Sequence, residues 1–145
     1  MKREILTPFS ELAKELQLSF QTVSNDEAEL ASDRYIVRVS EEIDRVKGIF
    51  VTIARRETPS KEIGLSYLIE YRGGTRSEVE VTTGNDPKSI CALVKRYAAS
   101  FLVGAANDFG EFESFARRKV EERFPQTRPF KTNKWVRAEW VDDPQ

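Results

Sequence analysis

The spacing of apolar residues predicts one well-buried helix, from Asp86 to Val103. At about 100° per residue, its apolar side chains fall on one side of the helix and most of its basic and serine side chains on the other. The Asp86 carboxylate is predicted to cap the first turn, and Gly104 favours a stop after the last one. The side predicted to be buried carries Ile90, Cys91, Leu93, Val94, Tyr97, Ala98, Phe101 and Leu102.

Two further helices are predicted, one on each side of this element. Thr7 and Pro8 form a cap-then-proline signal, and apolar residues at helical spacing follow it for about three turns. Asn107 or Asp108 is predicted to cap the other helix, which runs to Phe124. That helix is rich in phenylalanine, so it is predicted either to pack beneath the tail or to leave an apolar face open to a partner.

Between the first two helices the apolar period changes to two, which is typical of β-strands. The region predicts an antiparallel β-meander of three to four strands, in which the strand at 49–54 is apolar on both faces and therefore covered on both. A helix is left open as the alternative for 63–71. The strands are predicted at 35–40, 49–54, 63–71 and 79–81, with 20–24 as a further candidate and an acidic connector at 26–33.

The predicted fold class follows from this order of elements. A run of strands followed by a run of helices is typical of an α+β domain. We expect an N-terminal helix, the β-meander, two C-terminal helices packed on one sheet face, and an irregular tail that contains Trp135 and Trp140. The whole chain, 1–145, is predicted to form a single domain.

Composition narrows the classes of function. The chain contains no histidine, which removes the commonest general base and nearly all transition-metal sites. Its one cysteine, Cys91, cannot form an internal disulfide, which agrees with a reducing compartment. No apolar run reaches the roughly 20 residues needed to cross a bilayer, and no secretion signal is recognisable. We therefore predict a cytoplasmic protein that is not an enzyme, binds no cofactor or metal, and does not act at a membrane.

The strongest charge asymmetry lies near the C-terminus. Residues 117–137 hold eight cations and two acids, a net charge of +6; because the whole chain carries −1, the remainder carries −7. Cations interleaved with aromatic rings suit an acidic protein surface or single-stranded nucleic acid, and the alternative is docking on an acidic part of the same domain. The predicted partner-binding residues are Arg117, Arg118, Arg123, Arg128, Phe130, Lys131, Lys134, Trp135, Arg137 and Trp140.

A second basic group lies in the strand region. Its members alternate with apolar positions, so pairing across the strands with acids such as Glu62 or Glu70 is favoured over an anion-binding site. The group consists of Arg34, Arg38, Arg45, Lys47, Arg55 and Arg56.

The leading hypothesis for function is a protein–protein interaction domain. A layout of helix, meander and helices without a catalytic set is similar in general architecture, with no shared motif, to small bacterial immunity or inhibitor-type proteins, which neutralise a partner by covering its surface. The alternative is a nucleic-acid-binding module that uses the same basic segment, and a homo-oligomer is predicted to form, if at all, through Phe109, Phe112 and Phe115.

Overall fold

The computed structural model describes residues 1–42 and 48–124, and it confirms the α+β class with an N-terminal helix, an antiparallel sheet and later helices. The sheet has five strands in the order β1-β2-β3-β4-β5, where three to four were predicted. The elements are α1 (Arg3–Leu16), β1 (Ser19–Ser24), β2 (Glu27–Ala31), β3 (Tyr35–Glu42), β4 (Gly48–Arg55), β5 (Ile63–Gly64), α2 (Leu65–Tyr71), α3 (Arg76–Val81), α4 (Pro87–Leu102) and α5 (Phe109–Arg123).

The core lies on one face of this sheet. Alternate residues of β3 and β4, such as Val37, Val39 and Ile53, are almost fully buried beneath the helices. On the opposite face Phe50 is 42% exposed. The prediction that β4 is covered on both faces is therefore wrong at Phe50, although Ala54 on the same face is 3% exposed. Apolar residues on both sides of a strand do not ensure that both sides are packed.

The predicted acidic connector contains strand β2. Its two acids, Glu27 and Glu29, alternate with Ala28 and Leu30, which are buried at 1% and 0% exposure. The acids lie on the outer face, where Glu29 accepts a hydrogen bond from Arg38 at 2.9 Å. The strand was missed from the sequence because it has only five residues, and its alternation of apolar and polar residues lies among several acids.

The two strands predicted after β4 are largely helical. Only Ile63 and Gly64 extend the sheet, and Leu65–Tyr71 forms α2, so the helical alternative for 63–71 is correct for most of its length. The predicted edge strand at 79–81 belongs to α3. There Thr75 and Glu78 form a reciprocal capping box, the side chain of each bonding the backbone N–H of the other.

Helix α1 begins earlier than predicted. It starts at Arg3, so Thr7 is not its cap and Pro8 lies inside it. Proline removes one helical hydrogen bond at this position. Burial of Ile5, which is 5% exposed within the core, explains why the helix still includes the preceding turn.

Helix α4 matches the prediction closely. All eight side chains predicted on its apolar side are buried. Asp86 occupies the cap position, but its carboxylate accepts from the Ser89 hydroxyl and makes no bond to a backbone N–H, so the predicted cap contact is wrong. The Cys91 thiol donates to the Pro8 carbonyl at 3.4 Å, and burial raises the pKa of this thiol to about 11.

The rings of α5 are largely enclosed. Phe109 and Phe112 are 2% and 0% exposed, and Phe109 packs against Tyr35 and Phe101 with ring centroids 4.7 and 5.0 Å apart. Phe115 is half-buried against Tyr71. The predicted homo-oligomer surface required exposed rings at these positions, and burial of the first two removes that surface.

None of the helices within 1–42 and 48–124 is both long enough and apolar enough to cross a membrane.

Candidate functional site

A cleft of about 400 Å³ runs along α5, beside the residues that lead into β5. It brings a cation from the loop after β4 next to cations from the middle of α5. We call it the cationic cleft, and its lining residues are Lys61, Ile63, Gly110, Glu113, Ser114, Arg117 and Arg118.

The one acid of the cationic cleft is held by an arginine from the sheet. Arg55 ends β4, where it lies opposite Tyr35, and its guanidinium donates to both carboxylate oxygens of Glu113 at 3.0 and 2.9 Å. The hydrogen bonds that Arg55 donates to Glu113 raise the pKa of Arg55, and the guanidinium also lies 5.0 Å from the centre of the Phe109 ring. Arg55 therefore offsets the negative charge that Glu113 brings to the lining.

Gly110 lines the cationic cleft at the first turn of α5. A Cβ atom at this position would lie 3.8 Å from the Arg55 guanidinium, at ordinary contact distance. Gly110 therefore contributes no side chain to the lining, and the exposed Ser114 follows one turn later on the helix.

The structure divides the predicted partner-binding residues. Arg117 and Arg118 line the cationic cleft, whereas Arg123 bonds both oxygens of Glu70 at 2.8 and 3.0 Å and lies over the Tyr67 ring. Arg123 therefore ties α5 to α2. The other predicted residues lie outside the described part of the chain: Arg128, Phe130, Lys131, Lys134, Trp135, Arg137 and Trp140.

Five lining residues were not predicted as site residues from the sequence: Lys61, Ile63, Gly110, Glu113 and Ser114. Lys61 is separated from α5 by about fifty positions, and nothing in its neighbourhood indicates which element it meets. The spacing of Gly110, Glu113 and Ser114 with Arg117 does follow one side of a helix. That helical spacing is the signal that could have found them.

A second polar cluster joins α2 to the start of α5. Asp108 accepts hydrogen bonds from the Tyr71 hydroxyl at 2.7 Å and from Arg72 at 2.9 and 3.2 Å. The Tyr71 bond holds the pKa of Asp108 below its usual range, and the Asp108 bond raises the pKa of Tyr71 to about 12. Arg72 also lies 4.8 Å from the centre of the Phe101 ring. These contacts fix the helix start, and Asp108 makes no side-chain cap bond.

Two arginines of the strand region, Arg38 and Arg55, pair with acids. Arg38 bonds Glu29 and Glu62 at 2.9 and 3.2 Å, which confirms the predicted pairing with Glu62. Glu70 bonds Arg123, so the predicted pairing of Glu70 with the strand arginines is wrong.

Of the four remaining members of that basic group, two are described by the structure and two are not. The Arg56 guanidinium donates to the Ser32 carbonyl at 2.9 Å, and Arg34 is exposed just before β3. Arg45 and Lys47 lie outside the described residues.

In the part of the chain that the structure describes, no group of three or more histidine, cysteine, aspartate or glutamate side chains is arranged to hold a metal ion. Comparison with protein-family models, with curated proteins and with solved structures gives no match. The case for a function therefore depends on the geometry of the cationic cleft.

Proposed function

We propose that this chain is a non-catalytic protein–protein interaction domain that binds an acidic segment of a partner protein at the cationic cleft. One observation carries the proposal: Lys61, from the loop after β4, lines a single groove together with Arg117 and Arg118 of α5. Opposite charges placed around a concave surface steer association and fix the register of a complex. A run of aspartate or glutamate is the complementary ligand.

The bonding of Glu113 supports this assignment. An unpaired carboxylate in the cleft would repel an acidic ligand, but both oxygens of Glu113 accept from Arg55. The sequence extends the basic character beyond α5, since four more cations follow between 125 and 137. Phe130, Trp135 and Trp140 remain the predicted anchors, because aromatic side chains dominate the binding energy of many interfaces.

A protein ligand is favoured over nucleic acid because acids interrupt the cations of α5: Lys119 lies 3.7 Å from Glu122 in an ion pair. Neutralisation of a partner by covering its surface, as an immunity or inhibitor-type protein does, is the specific form that we propose, with a cytoplasmic location.

The test measures the binding of two probes of equal charge, a polyglutamate peptide and a single-stranded DNA oligonucleotide. Each probe is titrated into the protein, and binding is detected from the changes in backbone amide chemical shifts. We expect the peptide to shift the amides of Gly110, Ser114 and Arg118. The double variant Lys61→Glu with Arg118→Glu should abolish these shifts. Lys14→Glu with Lys88→Glu changes the net charge equally on exposed residues outside the cleft, and it should retain them.

Two results would overturn the proposal. If only the oligonucleotide shifts these amides, the nucleic-acid alternative is correct. If neither probe does so, and the chain purified from its native host at low salt carries no stoichiometric protein, the cleft is not a docking site.

A further inference from the structure

Strand β1 is the long open edge of the sheet. It pairs only with β2 among the described residues, and five of its six residues are exposed. The other edge, β5, has only two residues and continues directly into α2. An edge strand presents unpaired backbone N–H and C=O groups, which form a template for another strand.

The hydrogen-bond pattern shows which residues of β2 face β3. The Ser32 N–H donates to the Tyr35 carbonyl, and the Glu41 N–H donates to the Asp26 carbonyl, both at 2.9 Å. Bonded pairs alternate along an antiparallel ladder. Even-numbered residues of β2 therefore bond β3, and odd-numbered residues bond β1.

The same alternation identifies the open groups of β1. Ser19 and Gln21 lie opposite Ala31 and Glu29, so these two residues bond β2. Phe20 and Thr22, between and beyond them, direct their N–H and C=O groups toward the open edge. The register shift between Thr22 and Ser24 ends the regular edge at this point.

The composition of β1 differs from that of the rest of the chain. Residues 19–24 contain no charge and no proline, although 32% of the chain is charged. Natural edge strands usually avoid pairing by carrying lysine, proline or inward charges. A β-bulge can also protect an edge strand, and β1 has one near Val23. This bulge leaves Phe20 and Thr22 able to pair.

We propose that β1 pairs with β1 of a second copy of this chain, antiparallel about a two-fold axis that passes through Gln21. In this register Phe20 of each copy lies opposite Thr22 of the other. Their outward groups form four backbone hydrogen bonds, two from each copy. The two Gln21 side chains meet at the axis, and Ser19 lies opposite Val23.

The absence of charged residues in β1 is the reason that a second copy fits this edge. Every pair in this register is neutral, so self-association brings no like charges together, whereas like charges directly opposite destabilise a strand pair. Because only residues 19–23 of each copy take part, we expect the contact to bury less than the roughly 1,200 Å² of surface that stable interfaces bury. The dimer is therefore weak, and its population depends on protein concentration. The inference does not depend on the cationic cleft.

Sedimentation equilibrium over a range of concentrations tests the dimer, and charges at Gln21 test its register. Gln21→Lys and Gln21→Glu place like charges at the axis, so each alone should weaken self-association roughly fivefold. An equimolar mixture should recover dimers, because lysine then faces glutamate. Ser77→Lys and Ser77→Glu, on the exposed face of α3, should not change self-association in either experiment.

Thr22→Pro tests the backbone bonds directly. Because the Thr22 N–H faces outward, proline removes one donor from each copy without removing a bond to β2. We expect self-association at least about tenfold weaker, with an unchanged unfolding midpoint measured on dilute protein. If proline unfolds the strand, the mixed Gln21 charge variants still decide the question.

Hydrogen exchange distinguishes a second copy from other occupants. The Phe20 and Thr22 amides should become protected as concentration rises. A monomer at every concentration would overturn the proposal. Protection that does not change with concentration would also overturn it, because the edge would then be covered by the chain's own residues.

Discussion

Helices α4 and α5 are similar in length but differ in what their surfaces do. Eight of the sixteen residues of α4 are buried, against four of the fifteen in α5. A helix that packs against the core along only one narrow stripe leaves its other faces exposed to solvent and ligands. α4 therefore supports the core, whereas α5 both packs against the core and presents the cationic cleft.

The largest expected effect comes from the rings that the two helices share. Phe101 of α4 and Phe112 of α5 have ring centroids 6.1 Å apart and are 1% and 0% exposed. Either change to alanine should lower the free energy of unfolding by about 3–5 kcal/mol, because it leaves a cavity. Urea unfolding measures this, with Phe50→Ala on the exposed sheet face as the matched control. A much smaller loss for Phe112 would mean that α5 is less firmly packed than α4.

The next effect concerns the anchor of α5. Asp108→Ala removes the acceptor of the Tyr71 and Arg72 bonds and should cost about 1–2 kcal/mol of unfolding free energy at neutral pH. Because the folded-state pKa of Asp108 is lowered, its contribution is present above the unfolded pKa of about 3.9 and is lost as pH falls through the folded value. Unfolding of both proteins across this acid range should show the difference shrinking. A constant difference would show that the charge of Asp108 is not involved.

The same anchor predicts an alkaline titration. The pKa of Tyr71 is raised from 10.0 to about 12, so the folded state holds this proton more tightly. Its contribution to stability is complete below pH 10 and is lost as pH rises toward 12. Ultraviolet difference absorbance between the wild type and Tyr71→Phe isolates this tyrosine from the other three. Ionisation of Tyr71 near pH 10 would contradict the strength of the Asp108 bond.

The smallest expected effect on stability lies in the cationic cleft itself. Arg55 and Glu113 are each 31% exposed, so Glu113→Gln should change the unfolding free energy by less than about 1 kcal/mol. It should nevertheless strengthen polyglutamate binding, since one negative charge leaves the lining. Glu111→Gln alters a nearby exposed acid that does not line the cleft and is the matched control. Equal binding by the two variants would place the ligand elsewhere.

Long, strongly periodic segments allowed prediction from the sequence. All eight side chains that the sequence places on the buried side of α4 are buried, and α5 begins one residue after Asp108. The strand at 35–40 lies within β3. In each case enough apolar residues repeat at one spacing to exclude the other period. Arg117 and Arg118 were also predicted, through their place in a charge run.

Short segments and contacts between distant parts of the chain were decided by the tertiary structure. Residues 63–71 satisfy both periods in part, and pairing of Ile63 with Ile53 fixes only the first two as strand. The five residues of β2 are recognisable as a strand only in the structure, where β2 pairs with β1 on one side and with β3 on the other. Lys61 joins the cationic cleft, and Arg55 reaches Glu113, only because the sheet end and α5 meet. A sequence sets the local period of its side chains, but which distant side chains share a surface depends on how the elements pack.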